Sequence, residues 1–267
     1  MSIISLLSDF GHKDPYVAEM KAVILSINPQ AQIIDISHEI EKFSIHMGVY
    51  VLASATPYFP QGTIHVAVVD PGVGTKRRPI IVETNRSIYV GPDNGLLMLA
   101  ANKEVITNVY SIDNPKYMLA NISKTFHGRD IFAPAAAHLA TGIKPSDFGS
   151  TIHDYFFPEF AEAQLKGKEL LGEILHIDDF GNIISNISAK DIKNAGFHEG
   201  NSLIVTLGGK TMNIQFCSAY GVVPVNTPLA LIGSCNFLEV GINQGSASKI
   251  FKAKVGTAFR VSVVIPR

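Results

Sequence analysis

The sequence predicts two parts: an α/β N-terminal domain with a mostly parallel central sheet, then a smaller all-β, barrel-like C-terminal domain. Two observations carry this. Through the first half, short apolar runs alternate with stretches whose apolar residues recur at helical spacing. From Glu173 onward that spacing nearly vanishes, and short strand-like runs are broken by glycines. Between the two, residues 149–172 change texture, with aromatics, Pro158 and the run KGKE. The domains are therefore placed at 1–168 and 169–267.

Taken in order, SIISLLS (2–8) reads as a first strand, followed by the loop DFGHKDP. YVAEMKAVILSIN (16–28) has helical spacing and is ended by Pro29. AQIIDIS (31–37) is the next strand, and 38–59 contains a helix stopping near Pro57. GTIHVAVVD (62–70) is a strong strand, RPIIVETN and SIYVGPD form a hairpin, and NGLLMLAANK (94–103) reads as a short helix. TFHGRDIFAPAAAHLATG (125–142) is a loop feeding a helix, with Asp130 as candidate cap, Pro134 in the first turn and Gly142 closing it. The second domain carries GEILHIDDFGNIISNIS, NSLIVTLGGKTMNIQF, TPLALIGSCNFLEVGIN and GTAFRVSVVIPR as strands.

Bulk properties exclude several classes. The 267 residues are 46% hydrophobic and 17% charged, as in a folded globular protein. A formal net charge of −1 gives no general pull toward nucleic acid or an anionic membrane. No run reaches the roughly 18 apolar residues of a membrane span. The opening MSIISLLSDF lacks a basic leader and reads as a buried strand, so a cytoplasmic location is expected. Cys217 and Cys235 make neither a disulfide scaffold nor a four-ligand metal site, and no HExxH or paired-histidine spacing occurs.

The densest polar chemistry follows the first and third strands, at the carboxyl ends where open sheets bind ligands. Asp9 ends a strand, and Asp14 lies five residues on. An ionised carboxylate there accepts both hydroxyls of a ribose, or else serves as a turn or cap. In VVDPGVGTKRR, Gly72 and Gly74 permit a tight turn, and Arg77 or Arg78 can fold back onto Asp70. That is a hairpin salt bridge or part of a site. GPDN (91–94) is a turn with a cap. TFHGRD sets His127, Arg129 and Asp130 together in a loop, whereas His138 lies within an alanine-rich helix. In HIDDFGNIISN, Asp178, Asp179 and Asn182 flank Phe180: a ring for stacking and an amide for a base edge, or an ordinary hairpin turn.

LLSDFGHKDPYVAEMK, VVDPGVGTKRRPI, YVGPDNGLL, TFHGRDIFAPAAAHLA, HIDDFGNIISNI and VGINQGSAS, in this order, resemble the S-adenosyl-L-methionine hydroxide adenosyltransferases, hydrolase relatives of fluorinase and chlorinase. The resemblance spans nearly the whole chain. It implies an α/β domain, a smaller β-barrel domain, and a homotrimer whose active sites lie between one subunit's N-terminal domain and the next subunit's C-terminal domain. It implies a catalytic set of Asp70, Arg77 and His127. Asp9 is implied as the ribose-diol carboxylate and Asp14 as a neighbouring acid. Phe126 and Gly128 would line the pocket. Asp178 would meet the methionine amine, Asn182 the nucleoside and Phe180 the substrate's face, with Ser234 near the methionine end. Halogenases carry a tyrosine where this chain has Asp70, and an FYS-type segment where it has Phe126-His127-Gly128. A carboxylate there repels halide and orders water, so the expected reaction is attack of water on ribose C5′, giving adenosine and L-methionine without metal or organic cofactor. Halide-dependent synthesis of 5′-halo-5′-deoxyadenosine, and a non-catalytic nucleoside-binding module, are the competing readings. No nucleic-acid or membrane partner is expected.

Overall fold

The computed structural model describes residues 2–264. The chain divides into two compact units, Met1–Pro158 and Glu159–Arg267. Residues 159–168, assigned to the first domain on sequence, fall in the second unit, where the strand β7 (Gln164–Lys166) pairs antiparallel with β8 (Glu169–Ile177).

The first unit is built on a six-stranded sheet. Its strands are β1 (Ile3–Ser8), β2 (Gln32–Ser37), β3 (Ile64–Val68), β4 (Pro79–Thr84), β5 (Ile88–Pro92) and β6 (Ile106–Ser111), in the order β2-β1-β3-β5-β4-β6. β1 runs parallel to β2 and β3, and β3 parallel to β5. β4, however, is antiparallel to both β5 and β6. The sheet is therefore mixed, not mostly parallel as the sequence suggested. The connection from β4 to β5 spans only residues 85–87, too short for a crossover, and β6 gave no strong strand signal. β1 and β3 lie between parallel neighbours, which explains their continuous apolar runs: from Ile4 to Ser8 and from Ile64 to Val68 every residue is buried.

Helix α1 (Tyr16–Ile27) turns Val17, Met20 and Ile24 inward. α2 (Ile45–Ala55) starts at Ser44, whose side chain accepts from the Met47 N–H, and gives way to a 3₁₀ turn over Thr56–Tyr58 containing Pro57. α3 (Met98–Lys103) is shorter than its periodic pattern. Gly95 at φ +92° lies outside helical space, and Asn94 instead holds a turn, donating to the Val69 carbonyl at 2.8 Å and accepting from Leu96 N–H at 3.1 Å. α4 (Ala133–Ala140) follows a wide π-helical turn at Gly128–Phe132. Asp130 does not cap it: the side chain is buried and accepts from the upstream Ser123 N–H at 2.7 Å. Gly142, at φ +96°, ends the helix as expected.

In the second unit β8, β9 (Ile183–Ser188), β10 (Ser202–Leu207), β11 (Lys210–Phe216), β12 (Pro228–Ile232), β13 (Phe237–Ile242) and β14 (Ala258–Val263) close into a barrel, β14 pairing back onto β8. Inward-facing Leu203, Val205, Leu207, Phe259 and Val261 belong to its core. Two short helices decorate it, α5 (Ala189–Asn194) and α6 (Ala247–Phe251). No helix among the described residues is long and apolar enough to cross a membrane.

Candidate active site

A pocket of about 420 Å³ opens at the carboxyl ends of β1 and β3, walled by the segment leading into α4. Asp9, the residue after β1, lines it and is only 6% exposed. Its Oδ2 accepts from the Phe43 backbone N–H at 2.9 Å, and Lys42 Nζ donates to its carbonyl. Phe43, 68% exposed at the rim, sits at φ +65°, an unusual conformation for a bulky residue. Phe10, Tyr16 and Phe126 form an edge-to-face wall with centroids 5.1–5.8 Å apart. Gly128 packs tightly beneath it: a Cβ there would press on the Phe126, Met20 and Phe10 side chains at 3.1–3.3 Å.

On the opposite side the turn after β3 brings Arg77 back onto Asp70. Arg77 Nε lies 2.9 Å from both carboxylate oxygens, and Nη2 donates to Oδ2. The same Nη2 donates to His127 Nδ1 at 3.0 Å. An Nδ1 that accepts leaves the ring neutral, with its remaining proton on Nε2. Burial, and secondly the Arg77 charge, hold His127 below its ordinary pKa, in keeping with that tautomer. Asp70 and His127 line the pocket; Arg77 does not, standing behind them with its ring-stacked guanidinium 5.2 Å from the Phe132 centroid. Gly74, at φ +74°, makes the turn possible: a Cβ there would strike the Lys124 carbonyl. Arg78 faces elsewhere, bonded to Asp93 and Asp154.

The barrel carries a second pocket of about 760 Å³, formed by the β8–β9 turn, Tyr220 and the segment entering α6. The two adjacent acids separate here. Asp178 faces inward and accepts from the Asn182 backbone N–H at 2.8 Å and side-chain Nδ2 at 2.9 Å. Asp179 is exposed and does not line the pocket. Phe180, 80% exposed, stands at the tip of the turn. Gly181 (φ +82°) lies so close to Ser246 that no Cβ fits. Behind the pocket, the Tyr220 hydroxyl donates to buried Glu239, whose carboxyl burial pushes up.

Asp9, Asp14, Asp70, Phe126, His127 and Gly128 are thus brought together in one pocket, and Asp178, Phe180 and Asn182 in the other. Ser234, in the β12–β13 turn, lines neither. Lys42, Phe43, Tyr16 and Thr125 in the first pocket, and Tyr220, Gln244 and Lys249 in the second, escaped sequence reasoning. Only the aromatic that ends HEIEKF, just before the Ser44 cap, offered a local signal. Among the described residues no cluster of three or more histidine, cysteine or acidic side chains is placed to hold a metal ion.

Acceptor carboxylates, an aromatic wall and a buried ion pair gathered at strand carboxyl ends are the features of an enzyme's small-molecule site. The chain belongs to the SAM hydroxide adenosyltransferase family: residues 4–149 match its N-terminal domain and residues 172–260 its C-terminal domain. It is 38% identical to an (R)-S-adenosyl-L-methionine hydrolase of Thermus thermophilus, over 98% of this chain and 100% of that one. A protein of the same name from Methanocaldococcus jannaschii is 37% identical over 94% and 92%. A fluorinase of an Actinoplanes species is more distant, 26% identical over 97% of each chain. A crystal structure of an uncharacterised conserved protein from Thermotoga maritima has a TM-score of 0.87 at 35% identity, covering 97% of this chain and 99% of that one.

Proposed function

We propose that this protein hydrolyses S-adenosyl-L-methionine, water attacking ribose C5′ to give adenosine and L-methionine. The observation that carries the reading is the Asp70–Arg77–His127 chain, with its carboxylate and imidazole facing the pocket that also holds Asp9. The C5′–O bond forms as the C5′–S bond breaks, the sulfur takes the electron pair, and one proton leaves the water. Sulfonium is already a good leaving group, so no cofactor or acid is needed; the task is to hold water in line with the C5′–S bond. Asp70 orients that water and receives its proton. With Nδ1 occupied by Arg77, His127 keeps Arg77 and Asp70 in place and presents no free basic nitrogen at Nδ1. Arg77 is a positioning residue. Asp9 takes the ribose hydroxyls, as a buried acceptor-only group.

The barrel pocket supplies Asp178 for the methionine amine, Asn182 for the nucleoside and Phe180 for stacking. We further propose a homotrimer in which the first-unit pocket of one copy and the barrel pocket of the next hold a single substrate. Co-assembling Asp70→Asn chains with Asp178→Ala chains tests this: activity should reappear in the mixture, because some sites then draw two intact halves. Mixed assemblies as inactive as their parents would refute the shared site.

The reaction itself is tested by incubating the protein with S-adenosyl-L-methionine in ¹⁸O water. Adenosine carrying label at the 5′ oxygen is expected. Supplying the R and S sulfonium epimers separately asks whether this chain shares the R preference in its relatives' name. A 5′-chloro product in chloride, or tight binding without release of adenosine, would refute hydrolysis.

A further inference from the structure

Behind Asp9 lies a buried polar chain that the reaction does not use directly. His38, 1% exposed, follows β2; Ser8, equally buried, is the last residue of β1. Ser8 Oγ and His38 Nδ1 are 2.7 Å apart. Ser8 Oγ also accepts from the Phe10 backbone N–H at 3.3 Å, on the far side of Asp9. On the other edge of the ring, His38 Nε2 faces Asp35 Oδ1 at 3.2 Å, and Asp35 is held by Lys21 at 2.6 Å. The order of donors is then fixed. The Asp35 carboxylate only accepts, so the Nε2 that faces it carries the ring proton; in the neutral ring Nδ1 is then the acceptor, and the Ser8 hydroxyl gives to it while taking the Phe10 N–H on a lone pair. Two backbone bonds tie the same segments together: Gly11 N–H to the His38 carbonyl at 2.7 Å and Ile40 N–H to the Ser8 carbonyl at 3.4 Å.

We infer that His38 and Ser8 are positioning residues that fix the Asp9 carboxylate for the ribose diol. Asp9 sits between two backbone positions, Ser8 and Phe10, both pinned by one hydroxyl whose direction His38 sets. His38 leads directly into the 39–44 segment that supplies the Phe43 N–H to Asp9 Oδ2 and Lys42 to the Asp9 carbonyl. Burial keeps the His38 ring below its ordinary pKa, with the Asp35 carboxylate opposing, and the neutral ring is the form that accepts from Ser8. The chain rigidifies a charged acceptor that must match two hydroxyls at once, where a small displacement loses both bonds.

This inference rests on the reading of Asp9 as the ribose carboxylate, and the test separates the two. Adenosine and 2′,3′-dideoxyadenosine are titrated calorimetrically into full-length wild type, Ser8→Ala, His38→Leu and His38→Asn. Wild type should prefer adenosine by about tenfold or more, the worth of a hydrogen-bonded diol. Ser8→Ala and His38→Leu should weaken adenosine about tenfold while changing dideoxyadenosine less than about twofold. His38→Asn, whose Oδ1 replaces Nδ1 as acceptor, should restore the preference. A folded Ser8→Ala protein that keeps the wild-type preference overturns the inference, as does a loss falling equally on both nucleosides. Ser8→Ala removes a single oxygen, so it decides the matter even where His38→Leu fails to fold. A wild type with no preference refutes the reading of Asp9 itself, and is seen without any variant.

Discussion

Arg77 shows how little a residue's chemistry reveals until its direction is known. The sequence placed an arginine beyond a glycine turn from Asp70, and the pairing formed as expected. What could not be read is that the guanidinium stands behind the pocket, one nitrogen shared between Asp70 and His127. Both partners are nearly buried, their side chains 9% and 5% exposed, so removing one leaves a costly lone charge. Arg77→Lys replaces a planar fork by a point charge that cannot hold both groups. Steady-state kinetics should show kcat down about 10- to 100-fold with KM within about twofold, the pattern of a group acting through others. Equal rises in KM would mean that Arg77 binds substrate. His127 gives a second expectation. Its pKa lies below the ordinary histidine value, through burial and then Arg77, so any fall in kcat from its protonation should come at a lower pH than an ordinary histidine would impose. There a protonated Nδ1 would confront the guanidinium. A decline already under way at pH 7 would contradict that arrangement. Lys42 and Phe43 were missed for a related reason: an aromatic just before the Ser44 cap marks a helix start, but that its loop crosses over Asp9 is not encoded locally.

Among the elements, legibility followed the balance between local and long-range forces. β1 and β3 were plain because burial on both faces makes them uniformly apolar. β6 was missed because its first half is exposed at Thr107 and Asn108 and only Val109 and Ser111 are buried, so it offers no strong apolar run. Missing β6 hid one of the two antiparallel pairings of β4, and the short β4–β5 connection imposes the other. Turns were read best where glycine chemistry was decisive. The Asp70–Arg77 turn depends on Gly74, which combines φ +74° with a close approach to the Lys124 carbonyl. Gly74→Ala should therefore cost about 1–3 kcal/mol of stability, by denaturant melting, and lower kcat because the turn can no longer return Arg77 to Asp70. Gly62, also at positive φ but with open space around it, is the control: its alanine variant meets the backbone cost alone and should leave kcat unchanged. Similar kcat losses in both would show that the turn is not specifically tied to the site.

The two units of the molecule should answer pH in opposite ways. The first unit contains His38, His65, His127 and His138, each held below the ordinary histidine range with burial as the leading cause. His65 is the extreme case. It is fully buried on β3, its Nδ1 2.7 Å from Ser5 Oγ, its ring against Phe59 and Tyr89, and its pKa is pushed down to about 3 by burial and by the Arg86 charge. Below the unfolded value of 6.5 the unfolded chain binds a proton that the folded ring refuses, so stability falls as pH drops from 6.5 toward 3. At pH 5 the loss from His65 alone is about 2 kcal/mol. The second unit holds Glu239, whose carboxyl is raised above 4.5 by burial and the Asp178 charge despite the Tyr220 hydroxyl. There the folded state binds the extra proton, so its contribution is present below pH 4.5 and is lost as pH rises. Hydrogen exchange read separately over the two units, from pH 8 to pH 5, should show protection falling in the β1–β3 core while the β13 core around Glu239 holds or gains. His65→Asn should flatten the acid limb of the first unit, and Glu239→Gln should remove the alkaline loss in the second. Parallel loss in both units on acidification would show instead that the barrel's acid response is not set by Glu239.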